Sequence, residues 1–320
     1  MKRMLLLAGT LAAAAALSAQ PAAAAVLVPS LMNLRAATAF DGTYTTAATG
    51  ETVHISVSDQ LVPDEAENQR WADFLGTVPH GPEVGKLALY IAPTAEVRQL
   101  CGREALACYY GAPERIVFPV EESTTPPPRT SILAHEYGHH IARNRSNDPW
   151  PGLNFGTKRW ATYTHVCPGL RNGRLSLNRY ELSPSETFAE SYRVLVERRL
   201  GLEPTPWEII EPSLEPDDAA LSLLEQDVLD PWPGNTVIRL SGSRSRTVRI
   251  ATPLDGRVTL TLRAPRGSVY ELALPRQPAK RTRGQGAVRS SLTVCGLRQE
   301  TATVRKVSGH GSFQLAVSRP

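Results

Sequence analysis

His135, Glu136 and His139 stand in the order H-E-x-x-H, inside His135-Glu136-Tyr137-Gly138-His139-His140. Residues four apart on a helix share a face, so His135 and His139 can offer two imidazoles to one metal ion. Glu136, beside them, can reach a water on that metal and take its proton as a general base. An open zinc site needs three protein ligands plus water, so a third ligand is required. The extension H-x-x-G-x-x-H is absent, because its Gly position is Ala142 and its last His position is Arg145. The remaining candidates are His165, Glu186 and Glu190.

Elements must place these groups. The stretch Thr52 to Ser58 alternates as a strand does, and Asp64 to Phe74 reads as a helix ended by Gly76. Lys86 to Ala92 and Arg115 to Val120 read as strands. Three prolines, Pro126 to Pro128, lead into a helix from Arg129 to Asn144 that carries the histidines. A shorter helix is expected over Trp160 to Val166. A strong one runs from Pro184 to Leu200, with Ser183 as its N-cap, Pro184 in the first turn, Arg198 and Arg199 in the last, and Gly201 as the stop. Glu186 and Glu190 lie one turn apart on it. A further helix is expected over Ala219 to Val228. Beyond Asp230-Pro231-Trp232-Pro233-Gly234, seven short β-type runs separated by Gly, Pro and Asp predict a β-sandwich.

On HEYGHH and ETFAES, about 70 residues of chain, the sequence resembles the gluzincin metallopeptidases. That resemblance implies an α+β, zincin-like catalytic domain, built of a small sheet, an active-site helix and a Glu-bearing helix. It implies Zn2+ held by His135, His139 and Glu186, with Glu190 one turn on orienting the first histidine. Glu136 would be the catalytic base. A tyrosine a few residues before the Glu ligand supplies an oxyanion donor in some gluzincins, which points to Tyr180, with Tyr163 behind it. Ser183 with Glu186 also fits the S-x-x-E capping box, in which Glu186 holds the helix start and Glu190 would be the ligand, or there would be none. The closing β segment resembles the appendages of bacterial secreted peptidases.

The first residues read as a sorting signal. Lys2 and Arg3 precede an apolar run from Met4 to Leu17, and Ala22 to Ala25 supply the small residues of a cleavage site. The expected product is secreted, with no transmembrane segment after signal removal. In an oxidising compartment, Cys101, Cys108, Cys167 and Cys295 read as disulfides. Six residues separate Cys101 from Cys108, which suits a small closed loop. Cys167 would then pair with Cys295 and tie the two halves together; the alternative is that these two stay free and buried. As a crosslink over so long a loop, the pair would stabilise by roughly 4 kcal/mol.

Composition agrees with a folded protein: of 320 residues, 42% are hydrophobic and 21% charged, which excludes disordered and collagen-like chains. The net charge of +4 hides an asymmetry. Val26 to Gly234 holds 17 Lys/Arg against 28 Asp/Glu, whereas Asn235 to Pro320 holds 16 against 3. The expected organisation is a signal peptide at 1–25, a catalytic domain at 26–229, a linker at 230–235 and a sandwich at 236–320. Its partners would be a peptide or protein substrate and, through the basic sandwich, an anionic cell surface or polymer. The other reading of that charge is a solvated face packed against the acidic half. Nucleic acid is not expected, for lack of interleaved aromatics. Two functions stand: a secreted zinc peptidase, or a non-catalytic exported surface-binding protein with an inert zincin domain. Glu136 favours the first, since a purely structural site needs no base.

Overall fold

The computed structural model describes residues 38–320, apart from Thr124, Ile209, Gly284, Gln285 and Leu297. The leader expected at 1–25 lies outside the described residues. The chain is mixed α and β: an α+β half is followed by a β-rich half. It opens with strands β1 (Thr38–Thr45) and β2 (Thr52–Ser58). Val53, Ile55 and Val57 of β2 are buried, as their alternation requires. Helix α1 (Glu65–Thr77) follows, capped by the Asp64 carboxylate on the amides of Ala66 and Glu67. Gly76 does not stop it but lies inside its last turn, where a Cβ would stand 2.7 Å from Thr46 Cβ.

Strand β3 (Ala88–Ala92), helix α2 (Thr94–Cys101), strand β4 (Cys108–Gly111) and strand β5 (Glu114–Pro119) complete the first sheet. Its order is β1-β2-β3-β5-β4. The three inner strands are parallel, and both edges are antiparallel. The edge strand β4 is fastened at its first residue by the Cys101–Cys108 disulfide.

The helical part follows: α3 (Arg129–Arg143), α4 (Gly152–Phe155), α5 (Lys158–Tyr163), α6 (Val166–Asn172), α7 (Pro184–Leu200) and α8 (Asp218–Leu229). The helix expected over Trp160 to Val166 is in fact two, α5 and α6, broken at His165, which is left-handed at φ 59°. Helices α3 and α7 cross closely because Gly138 has no side chain: a Cβ there would meet Ala189 Cα at 2.8 Å. Around that crossing Leu133, Tyr137, Ile141, Phe188, Tyr192 and Val196 fill the core. Ser183 caps α7 through the amide of Glu186, and Gly201 ends it at φ 62°, where a side chain would be strained. Arg145, just past α3, donates to Glu83 and to the carbonyls of Asp227 and Val228, so it fastens this end to α8.

The rest is β: β6 (Thr236–Gly242), β7 (Arg246–Thr252), β8 (Gly256–Arg263), β9 (Val269–Ala273), β10 (Lys280–Arg281), β11 (Ala287–Val294), β12 (Arg298–Ser308) and β13 (Phe313–Arg319). They form two four-stranded antiparallel sheets, β10-β9-β12-β7 and β11-β8-β13-β6. Leu260, Leu262, Tyr270, Leu272, Phe313 and Leu315 lie in their shared core. Cys167 of α6 is joined to Cys295, and Asp255 donates its amide to Thr162 of α5. Lys158 crosses the same junction. Its ammonium donates to Asp148 O at 2.7 Å and lies 4.4 Å from the ring centre of Trp232. Burial pushes that ammonium down to about 8, against the pull of Asp255, Asp148 and Asp227. Among the described residues, no helix is long and apolar enough to cross a membrane.

Candidate metal centre

Helix α3 presents His135 and His139 one turn apart, and α7 faces them with Glu186. The Nε2 atoms of both histidines lie 3.4 Å from the same Glu186 oxygen. That is long for a hydrogen bond. It matches donors about 2.0–2.1 Å from a shared tetrahedral zinc, which stand about 3.4 Å apart. The three ligand atoms all lie within 4.8 Å of one another. The donor set, two imidazoles and one carboxylate, is a chemistry zinc accepts, so the residues fit the ion.

The far side of each imidazole is held. His135 Nδ1 meets Glu190 at 2.9 Å. His139 Nδ1 meets the Ser185 hydroxyl at 3.3 Å, and that hydroxyl spends its own proton on Leu153 O at 2.7 Å. Ser185 can therefore only accept from His139, which puts the proton on Nδ1 and leaves Nε2 free as a ligand. Ser183 takes the amide of Glu186 at 3.5 Å, while the Glu186 carboxylate turns to the histidines. The cap and the candidate ligand thus coexist on one helix start.

The pocket asks for positive charge. Burial opposes a proton on His135, yet its hydrogen bonds to Glu186 and Glu190 push it up to about 10. Burial opposes ionisation of Glu190 too, but bonds from His135 and Arg193 bring it down to about 2. Burial pushes the Glu136 carboxyl up, with His135 and His139 working the other way. The backbone amide of Tyr109 on β4 also favours the ionised form of Glu136, and its ring lies beside those of His139 and His140, so the edge strand runs next to the candidate base. Tyr180 reaches the same place: burial, then the charges of Glu186 and Glu136, push its hydroxyl well above the ordinary range.

Deeper in, Arg193 holds Glu190 at 2.6 Å and Glu197 at 2.6 Å, and Ser131 donates to Glu197 at 2.6 Å. All of this is buried, so each charge depends on its partner. Arg193→Met is expected to lower stability by about 3–5 kcal/mol, because two carboxylates lose their cation. A urea titration that moved by less than about 1 kcal/mol would show the network to be dispensable.

The structure thus brings His135, Glu136, His139, Tyr180, Glu186 and Glu190 together. It does not bring Tyr163, which donates to Asp217, nor His165, exposed in the α5–α6 turn. Ser185, Arg193, Gly138 and Tyr109 escaped the sequence reading. Only Arg193 left a signal there, in the spacing E-x-x-R-x-x-x-E from Glu190 to Glu197, which stacks the three on one helical face.

No protein-family model matches the chain, and no curated protein matches it. Among solved structures, one similar chain is FlhE, 18% identical over 27% of this chain and 97% of that one, with a TM-score of 0.17. Another is CapF with the inhibitor 3-isopropenyl-tropolone, 10% identical over 83% of this chain and 81% of that one, with a TM-score of 0.19. The capsular polysaccharide assembling protein CapF from Staphylococcus aureus is 9% identical over 83% of this chain and 82% of that one, also at 0.19. Likeness this slight carries no argument about fold or function.

Proposed function

We propose that the chain is a secreted, zinc-dependent peptidase of the gluzincin kind, with a zincin-like domain followed by a β-sandwich. The observation that carries this reading is the meeting of His135 Nε2, His139 Nε2 and one Glu186 oxygen at 3.4 Å beside a buried carboxylate that is not one of them. Zinc bound there would supply Lewis acidity and lower the pKa of a coordinated water to about 7.

The chain's own residues then have separable tasks. Glu136, with its raised pKa, takes a proton at its carboxylate and returns it to the departing amine. Tyr180, protonated at any physiological pH, donates its hydroxyl hydrogen bond to the oxygen on which negative charge develops. Strand β4 has one hydrogen-bonded neighbour, β5, so its outer edge can receive an extended peptide as a further strand. Tyr109 on that edge lies with its ring beside His139 and His140, which keeps the strand next to the site. Glu190, Ser185 and Arg193 keep the imidazoles turned.

The leader read at 1–25 would export the protein. Two disulfides and the absence of a membrane-length helix among the described residues are compatible with that destination. The test is to purify the secreted form, count its metal, and assay a mixed peptide pool before and after chelation. About one zinc per chain is expected, with cleavage lost on chelation and restored by zinc. Metal without cleavage sinks the peptidase; no metal under any loading condition sinks the site.

A further inference from the structure

The sandwich carries its charge unevenly, and one face is free of acid. In the sheet β11-β8-β13-β6, the inward positions, such as Val258, Leu260, Leu262, Leu315 and Val317, are buried. The alternate positions face out, and four of them are arginines: Arg239 on β6, Arg257 and Arg263 on β8, and Arg289 on β11. All four are exposed. Register places them. Arg289 pairs with Thr261, Thr261 with Ala316, and Ala316 with Arg239, one row across the sheet. Along β8, Arg263 lies two residues from Thr261 on one side and Arg257 four residues from it on the other. With strands about 4.8 Å apart and about 3.3 Å per residue, the four span a field of roughly 14 by 20 Å.

The sandwich's three acids all lie elsewhere. Asp255 is buried at the junction, accepting from the amide of Gly296. Glu271 belongs to the other sheet and is taken by Arg281 and Arg305. Glu300 is on β12, also in the other sheet. The acidic half does not cover the arginine face, because it meets the sandwich at its end, through Cys295, Asp255 and Lys158. None of the four guanidiniums has an acidic partner among the described residues.

We propose that this face binds a linear polysaccharide bearing carboxylates. A guanidinium forks onto a carboxylate through two parallel hydrogen bonds. Hydroxyls stand between the arginines: Ser241 two residues from Arg239, Thr261 two from Arg263, Ser291 two from Arg289, and Thr293 opposite Arg257. That alternation suits a chain that alternates carboxylates with hydroxyls. No aromatic side chain faces out here, so there is nothing on which a nucleic-acid base would stack. Single exposed contacts are weak, so occupancy rests on several being made by one chain at once. The inference does not depend on the metal site.

The experiment measures binding of the mature protein to polygalacturonate. The variant Arg239→Gln, Arg257→Gln, Arg263→Gln and Arg289→Gln is compared with a charge-matched control, Arg244→Gln, Arg246→Gln, Arg249→Gln and Arg266→Gln. All eight positions are exposed, so both proteins should fold. Expected are a loss of about tenfold or more in the first variant, about threefold or less in the control, and weakening with salt in the wild type. Equal losses in both would show diffuse charge and overturn the face. So would no binding by the wild type. Tighter binding of poly(glycerol phosphate) than of polygalacturonate would overturn the carboxylate assignment. Metal content and peptide cleavage should not change in either variant.

Discussion

Glu136→Gln should retain the metal and the fold and lose peptide hydrolysis. The substitution keeps the shape of the side chain and a carbonyl oxygen in place of the carboxylate. It removes a carboxylate that stands beside the three ligand atoms without being one of them and that, unlike Glu190, is not held by Arg193. General acid–base groups contribute about 10²- to 10⁴-fold, and a fall in kcat of at least that size is expected. Zinc content and the thermal midpoint should stay near those of the parent. If the variant turned over at the parental rate, Glu136 would not be the base and the mechanism as drawn would be wrong.

The next largest effect separates the two acids of α7. Glu186→Ala removes one of three donors and leaves two imidazoles, too few to hold zinc firmly. Glu190→Ala leaves all three donors and releases only the back of His135. A supporting group of this kind typically matters by about 10- to 100-fold in metal affinity. Chelator competition on folded protein should therefore rank Glu186→Ala well below Glu190→Ala. Glu190→Ala also strips Arg193 of one partner, so its stability should fall even where its metal remains. The opposite ranking would make Glu190 the ligand and Glu186 a cap.

Much of this site could be read from the chain because helical spacing is local. A spacing of four from His135 to His139, and of four from Glu186 to Glu190, declares shared faces without any tertiary knowledge. The ends of α7 were legible too, since Ser183, Pro184 and Gly201 act on their own neighbours. Strands β1 and β4 and helix α2 were not. Strand β4 has four residues between a disulfide and a turn, too few for a pattern, and owes its place to β5. The break at His165 was hidden because a left-handed residue that is not glycine has no signature of its own. Ser185 and Tyr109 act across 46 residues and through the sheet edge, where sequence distance says nothing. Gly138 looked like a filler between two histidines, yet its missing side chain lets the two site-bearing helices touch.

The junction between the halves has a topological consequence. Cys167 and Cys295 are 128 residues apart, and the segment from Asp230 to Gly234 lies between them. The covalent path from one core to the other therefore runs twice, once through the peptide bonds of that segment and once through sulfur. A single nick in the segment would open a ring without making two molecules. The fragments would part only under a reductant, and even then the Asp255 amide would first have to leave Thr162. Cleavage within this Pro- and Gly-containing connection would thus separate nothing until the Cys167–Cys295 bond was reduced.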